Sequence, residues 1–297
     1  NDGIVAVLNS QLIPLWVFDA GAPINLMPAG APLFRGQGAI FVLTATGRLH
    51  GISGQGRPLW HYDLPHSVPR FPSTADPIVA QLAFLHPSVL VSDSEGWLYA
   101  VNSVNGQEEW RVQAALGPLG SPAIVDVRPN TGLEIVVASE AGDIAILDTT
   151  GSIISRAALP PGHYVPRPVI ADVDGDGHME IVLPNDNWQL VVATLDGVVK
   201  ETLPLQGNVL QGAVLADLNQ DGLLELIAAT DCARVYCFAT QAKEGWTHPR
   251  ANTMLNGCVL PIPPTTVPSP ARVSRSAAPD EVVLPEFTKE NPSAAAW

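Results

Sequence analysis

Two acidic loops carry oxygen atoms at the spacing that a hard cation needs. The first runs Asp172-Val173-Asp174-Gly175-Asp176-Gly177-His178-Met179-Glu180, and the second Asp217-Leu218-Asn219-Gln220-Asp221-Gly222-Leu223-Leu224-Glu225. Calcium takes about six to eight oxygens in flexible geometry, and Gly at the sixth loop position allows the sharp turn around the ion. The predicted ligands of the first loop are Asp172, Asp174, Asp176 and Glu180, with the carbonyl of His178. Those of the second are Asp217, Asn219, Asp221 and Glu225, with the carbonyl of Leu223. Two calcium ions are the expected cofactor. The loops begin like an EF-hand but close with an acid at the ninth position rather than the twelfth. Their flanks, such as Ile181-Val182-Leu183, are short and β-branched, so each loop is expected to join two strands of a hairpin. A third copy, Asp126-Val127-Arg128-Pro129-Asn130-Thr131-Gly132-Leu133-Glu134, places Arg128 at the second ligand position. A guanidinium repels calcium, so this loop is expected to be metal-free, with Arg128 pairing Asp126 or Glu134. The plain alternative for all three is a polar turn.

The elements that position these loops repeat. The loops start at Asp126, Asp172 and Asp217, 46 and 45 residues apart, a period that signals a solenoid or propeller. A second segment recurs with them: Gly47-Arg48-Leu49-His50-Gly51-Ile52, Gly96-Trp97-Leu98-Tyr99-Ala100-Val101 and Gly142-Asp143-Ile144-Ala145-Ile146-Leu147 are three of its copies. Most copies precede a turn and an anchor: Leu15-Trp16, Leu59-Trp60, Glu109-Trp110, Ile153-Ile154, Gly245-Trp246. Alternating apolar residues bounded by Gly, Asn and Asp are strand signals. Each unit therefore reads as four short strands, the anatomy of a β-propeller blade. The prediction is an all-β propeller over 1–257, with complete units at 22–65, 71–116, 117–159, 164–205 and 208–249. Residues 1–21 supply half of another blade. Six blades are expected, with an incomplete or larger ring as the alternative. The missing strands of the half blade would come from before residue 1, from a partner, or from the C-terminal segment, where Val282-Val283-Leu284 is a candidate.

The loops resemble the calcium-binding hairpins of FG-GAP (VCBS-type) repeats. The resemblance implies metal ligation by the eight acid and amide side chains named above, although both loops end in Glu where that family usually has Asp. The segment from Gly96 to Asn102, followed by Gly106-Gln107-Glu108-Glu109-Trp110, is similar to the PQQ-like propeller repeat, whose Trp docks between neighbouring blades. That implies inter-blade packing for Trp16, Trp60, Trp110 and Trp246. Trp246-Thr247-His248-Pro249-Arg250 is similar to a segment that often closes the last blade of FG-GAP proteins.

The 297 residues, 46% of them hydrophobic, are ample for a large core. No apolar run is long enough to span a bilayer. A net charge of -14 argues against nucleic acid, which needs clustered Lys and Arg, and against an anionic membrane surface. The chain starts at Asn1, a processed end or a fragment boundary. Cys232 and Cys237 fall on one predicted strand, about 15 Å apart if extended, too far to bridge. A bond from Cys258 to either one stands beside the plainer reading of buried free thiols. Calcium loops of this kind fill best outside the cytosol, so periplasm or cell exterior is the expected location. Residues 258–297 carry eight prolines from Pro261 to Pro292 and read as an extended tail.

No constellation for catalysis stands out. The seven histidines lack metal-ligand spacing, and no Gly-x-Ser-x-Gly elbow occurs. His61 and His66 flank an inter-blade loop that could face the central channel. The leading expectation is a non-catalytic scaffold or accessory subunit that binds protein partners through its face and tail. The alternative is a glycan-binding protein or polysaccharide lyase, with Trp97 or Trp188 stacking on sugar.

Overall fold

A computed structural model describes residues 3–32, 38–65, 75–82, 86–128, 132–247 and 258–259. Every described element is a strand. The chain opens with a hairpin of β1 (Ile4–Leu8) and β2 (Pro14–Asp19). The first complete blade holds β3 (Ala29–Pro32), β4 (Gly38–Leu43), β5 (Arg48–Ser53) and β6 (Pro58–Asp63). The second holds β7 (Ile78–Ala80), β8 (Ser88–Ser92), β9 (Trp97–Asn102) and β10 (Glu108–Gln113). The third holds β11 (Ala123–Val125), β12 (Glu134–Ala138), β13 (Asp143–Leu147) and β14 (Ile153–Ala158). The fourth holds β15 (Val169–Ala171), β16 (Glu180–Asn185), β17 (Gln189–Thr194) and β18 (Val199–Pro204). Among the described residues the fifth holds β19 (Val214–Ala216), β20 (Glu225–Thr230) and β21 (Arg234–Ala239). Within each blade, consecutive strands pair antiparallel. This is a β-propeller, as the 45-residue period predicts.

Burial explains the sequence pattern. The first two strands of the second and third blades are buried along their whole length, because both sheet faces meet a neighbouring blade. They read as continuous apolar runs, whereas outer strands such as β6 and β10 alternate. The core therefore lies between blades. One cluster packs Phe41 and Leu49 of the first blade on Val89 and Tyr99 of the second. Another joins Leu90, Ile135, Ile146, Ile181 and Trp246, and a third joins Val182 and Leu190 to Leu226.

A bulge recurs where the third strand meets the fourth. Leu15, Leu59, Glu109, Ile154 and Lys200 each stand without a cross-strand partner between paired neighbours. Such a bulge turns the following side chain out of register. In three blades that side chain is the anchoring Trp. Trp16 packs on Gly56 of the next blade and donates Nε1–H to the Gly54 carbonyl at 2.9 Å. Trp60 packs on Gly106 and donates to the Ser103 carbonyl at 3.0 Å. Trp110 packs on Gly151. A Cβ on any of these glycines would fall 2.6–2.7 Å from the indole, and each has positive φ. Only glycine meets both demands.

The C-terminal segment departs from expectation. β22 (Gly245–Trp246) is not the fourth strand of the fifth blade; it pairs with β15, the innermost strand of the fourth, and touches β11. Trp246 is buried there, inside rather than between the rims. β23 (Cys258–Val259) runs parallel to β7 and touches β3. The two described pieces of this segment therefore add strands to the inner edges of the fourth and second blades. Residues 260–297, with Val282-Val283-Leu284, lie outside the described residues, as do His66, His248, Pro249 and Arg250. His61 lies on β6, the outer strand, and not at the channel.

A buried ion pair sits just ahead of the inner strands. Arg167 Nη2 meets Asp76 Oδ2 at 2.6 Å, with both side chains at most 6% exposed. Asp76 also accepts the Met27 backbone N–H at 2.8 Å, so the first, second and fourth blades converge on one carboxylate. Breaking a buried pair by removing one partner costs about 3–5 kcal/mol. Arg167→Met should lower the urea midpoint by that equivalent. A loss below about 1 kcal/mol would instead be the signature of a hydrated pair.

Candidate functional site

The three acidic loops each join the first and second strands of a blade, β11–β12, β15–β16 and β19–β20. They share one skeleton. The closing Glu sends one oxygen to the backbone N–H of the loop's second residue: Glu134 to Val127 at 3.0 Å, Glu180 to Val173 at 2.9 Å, and Glu225 to Leu218 at 2.8 Å. Its other oxygen accepts from a donor that differs in each loop, and that difference decides the chemistry.

In the Asp126 loop the donor is Arg128, whose Nε and Nη2 reach Glu134 Oε1 at 3.0 and 2.9 Å. Of the two partners expected for Arg128, the structure pairs it with Glu134; residues 129–131 lie outside the described set. In the Asp172 loop the donor is Lys200. Its Nζ lies 2.6 Å from Asp174 Oδ2, 2.6 Å from Asp176 Oδ2 and 2.8 Å from Glu180 Oε1. In the Asp217 loop the donor is neutral: Asn219 Nδ2 reaches Asp221 at 3.1 Å and Glu225 at 3.0 Å.

The first loop gathers its predicted ligands closely. Carboxylate oxygens of Asp172, Asp174 and Asp176 lie within 4.8 Å of one another, the one such convergence among the described residues. Asp172 is held by the N–H groups of Gly175, Asp176 and Gly177 at 2.7, 3.0 and 2.9 Å. His178 donates its backbone N–H to Asp176 at 2.9 Å. In the second loop Asp217 accepts from Gly222 at 3.1 Å, and Asp221 accepts the Leu223 N–H at 2.8 Å. By type the donors suit a hard cation, but the first loop already has an ammonium among three of its acids.

Lys200 is the residue that sequence reasoning missed, because it lies 20 residues beyond Glu180. The repeat contained the signal. Lys200 is the bulged residue of its blade, at the place of Leu15, Leu59, Glu109 and Ile154. In the second blade Glu109 likewise turns to its own first hairpin, where it accepts from Ser88 at 2.5 Å and lies 3.2 Å from His86.

The ion pairing shifts both partners. The Lys200 hydrogen bonds hold the Asp176 carboxyl below the usual range, and the three acids raise the Lys200 ammonium above its own. For Asp176 the linked stability is present above the ordinary carboxylate pKa and is lost as pH falls through the lowered value. For Lys200 it is present below the ordinary lysine pKa and is lost only in strong alkali.

A cleft lined by Arg128, Asp176, His178, Met179 and Lys200 separates the Asp126 loop from the Asp172 loop. The Asp172 loop also rests on the segment after β21, where Gln241 donates its N–H to the Val173 carbonyl at 2.9 Å. The other candidates fall elsewhere. Trp97 is half-buried, with the Arg111 guanidinium 5.9 Å from its ring centroid. Trp188 is 53% exposed. Cys232 and Cys237 are free and exposed, correcting the expected burial; nothing among the described residues covers the outer face of the fifth blade. The Cys258 side chain lies outside the described set.

Residues 2–200 match the PQQ_2 family, described as outer membrane protein assembly factor BamB. The chain belongs to this family. The match spans the hairpin and the blades up to the start of β18, including all three Trp dockings. A search of curated proteins returned no match. Among solved structures, the chain is similar to BamB from Moraxella catarrhalis, with TM-score 0.50 and 16% identity over 80% of this chain and 79% of that one. It is also similar to BBS1N solved in complex with ARL6DN, in a mercury soak (TM-score 0.52, 13% identity, 81% and 72% covered) and a lead soak (0.51, 15%, 77% and 69%). At these identities the likeness speaks for the fold alone.

The matched span includes the Trp anchors, and the acidic loops are to be tested directly. Lys200→Met leaves Asp174, Asp176 and Glu180 without their cation. In chelator the variant should melt below the parent, and millimolar calcium should restore it while moving the parent less. Equal melting of variant and parent in chelator would show that the ammonium contributes nothing there.

Proposed function

We propose that this propeller is a non-catalytic interaction scaffold, an accessory subunit of a protein assembly at a membrane outside the cytoplasm. The observation that carries this reading is the family match over residues 2–200, whose description names assembly of outer membrane proteins. Two features support it. A structure of this fold was solved in complex with another protein. The hairpin β1–β2 also presents Leu12, Ile13, Leu15 and Val17, each more than half exposed, and exposed apolar patches of this kind mark contact sites. No helix among the described residues is long and apolar enough to cross a membrane. The proposed attachment is peripheral, in the periplasm or at the cell exterior. The proposed contacts are the propeller face and the Pro-rich tail, with proteins and not nucleic acid. Affinity purification of the full chain from gently solubilised envelopes tests this. Stoichiometric membrane-assembly proteins are the expected companions, and a clean monomer at native expression would overturn it.

Calcium is the proposed cofactor of the FG-GAP-type loops, held by Asp172, Asp174, Asp176 and Glu180 and by Asp217, Asn219, Asp221 and Glu225. It would supply hairpin stability by binding only the folded state. The first loop must give up the Lys200 contacts to bind it; the second needs only a rotation of the Asn219 amide. Calorimetry should therefore find the tighter site abolished by Asp221→Ala and not by Asp176→Ala. The reverse order would refute the competition.

A second reading, glycan recognition, is favoured by Trp188. This exposed indole sits at φ 58°, in the turn position that Gly47, Gly96 and Gly142 fill in the first three blades. The left-handed conformation costs about 1–2 kcal/mol for a side-chain-bearing residue. Trp188→Gly should stabilise the fold relative to Trp188→Ala. Saturable sugar quenching of Trp fluorescence, lost in both variants, would favour glycan binding over the scaffold.

A further inference from the structure

Where the third, fourth and fifth blades carry an acidic loop, the second blade carries a histidine. His86 precedes β8, and Glu109, the bulged residue of β10, turns to it. The polarity is reversed relative to the fourth blade, where the bulged residue is the cation Lys200. A polar chain of four side chains results. Ser88 donates its hydroxyl to Glu109 Oε2 at 2.5 Å. Glu109 Oε1 lies 3.2 Å from His86 Nδ1, off the line of a hydrogen bond. His86 Nε2 lies 2.9 Å from Asn102 Nδ2.

The far end of this chain fixes the protons. Asn102 Oδ1 accepts the backbone N–H groups of Val104 and Asn105 at 2.9 and 3.2 Å, so the amide must turn its NH2 to His86. That NH2 can only donate. His86 Nε2 therefore accepts, and the neutral ring carries its proton on Nδ1, beside the Glu109 carboxylate. A second proton, on Nε2, would meet the Asn102 NH2 donor to donor. To admit it the amide must withdraw or flip, and a flipped amide sets its NH2 against the Val104 and Asn105 N–H groups. Among the described residues, Glu109 is the ion at the ring. Glu108 is held by Tyr62 of the first blade, with Arg111 3.7 Å away. Neither β8 nor the turn 103–107 carries an ionisable side chain, and Tyr99 of β9 is bound to Asp93 at 2.7 Å.

Asn102 opens the turn that receives the first blade. Its carbonyl accepts the Gly106 N–H at 2.9 Å. Gly106 packs on the Trp60 indole, and the Ser103 carbonyl accepts the Trp60 Nε1–H at 3.0 Å. The turn is also tied to the histidine side, because Ser103 donates its N–H at 3.2 Å and its hydroxyl at 2.7 Å to the Pro87 carbonyl. We propose that His86 is a pH switch on the docking of the first blade to the second: a proton on the ring releases the Asn102 cap and loosens the turn that holds Trp60. Histidine ordinarily changes charge between about pH 5 and 8. The dock is tight above that range and loosens below it. The proposal stands independently of the scaffold reading.

Hydrogen exchange of the full chain by NMR tests it, read at about pH 8 and about pH 5 and corrected for the intrinsic pH dependence of exchange. The readouts are the Val104 and Asn105 amides and the Trp60 indole N–H. Protection at all three should fall at least about fivefold in acid, the loss of about one hydrogen bond, and stay level in β12. Two variants remove the conflict at the ring. His86→Gln keeps an acceptor that does not titrate. Asn102→Asp keeps the turn cap, as Asp148 does for the Thr150 and Ser152 N–H groups in the third blade, and its carboxylate accepts from a protonated Nε2. The acid loss should vanish in both. Level protection in the parent at the two pH values overturns the proposal. A loss that persists in either variant also overturns it, because the proton then acts elsewhere.

Discussion

Every blade of this propeller is apolar on both faces, and that constraint governs the rest. A sheet such as β7–β10, buried through its first two strands, is stable only between two others. Stability is therefore a property of neighbours, as in other repeat architectures. The cost shows at the ends of the array. The fifth blade leaves Val235, Cys237 and Ala239 exposed, and the first hairpin leaves Ile4, Leu8, Leu15 and Val17 exposed. The loop acids follow the same gradient: Glu134 and Glu180 are buried, while Glu225, on the uncovered blade, is only partly so.

Blades meet through a small recurring device. The bulge at the start of the fourth strand sends two successive side chains to opposite duties. The second, Trp16, Trp60 or Trp110, reaches the next blade and demands a glycine there. The first turns to its own blade, where Glu109 and Lys200 engage the first hairpin. The Asp76–Arg167 pair adds a tie of another kind, because it joins segments 91 residues apart that no repeat-to-repeat contact would link. Its desolvation is costly, and Arg167 Nε is buried without a hydrogen-bond partner among the described residues. The pair is better understood as fixing which inner strands converge than as a source of net stability.

Much of this was legible in the sequence. The period, the four-strand unit, the hairpin placement of the acidic loops and the docking of three Trp anchors all depend on local pattern and chain spacing. What escaped reading was non-local. Trp246 looked like a fourth strand because it follows the repeat in sequence, yet Gly245 and Trp246 find their hydrogen bonds on β15. Asp76 and Arg167 stand in unlike contexts, and nothing in either predicts the other. Lys200 was hidden differently. Its position in the repeat was visible, but only the bulge register shows that this position points at the acidic loop.

The three loops form a series in how their negative charge is answered. Arg128 carries a permanent cation within the loop and pairs it with Glu134. Lys200 brings a cation from the outer strand of the same blade on a flexible stem, so one cation meets the acids while the geometry can yield. Asn219 brings no charge at all, and among the described residues no cation pairs with Asp217, Asp221 or Glu225. Like charges gathered at one turn repel unless a counter-charge is near; two acids share one cation in the Arg128 loop, four share one in the Lys200 loop, and the three acids of the Asn219 loop have an amide in its place. Dependence on an external cation should therefore be weakest in the third blade, and in the fifth an entering cation would have no ammonium to displace.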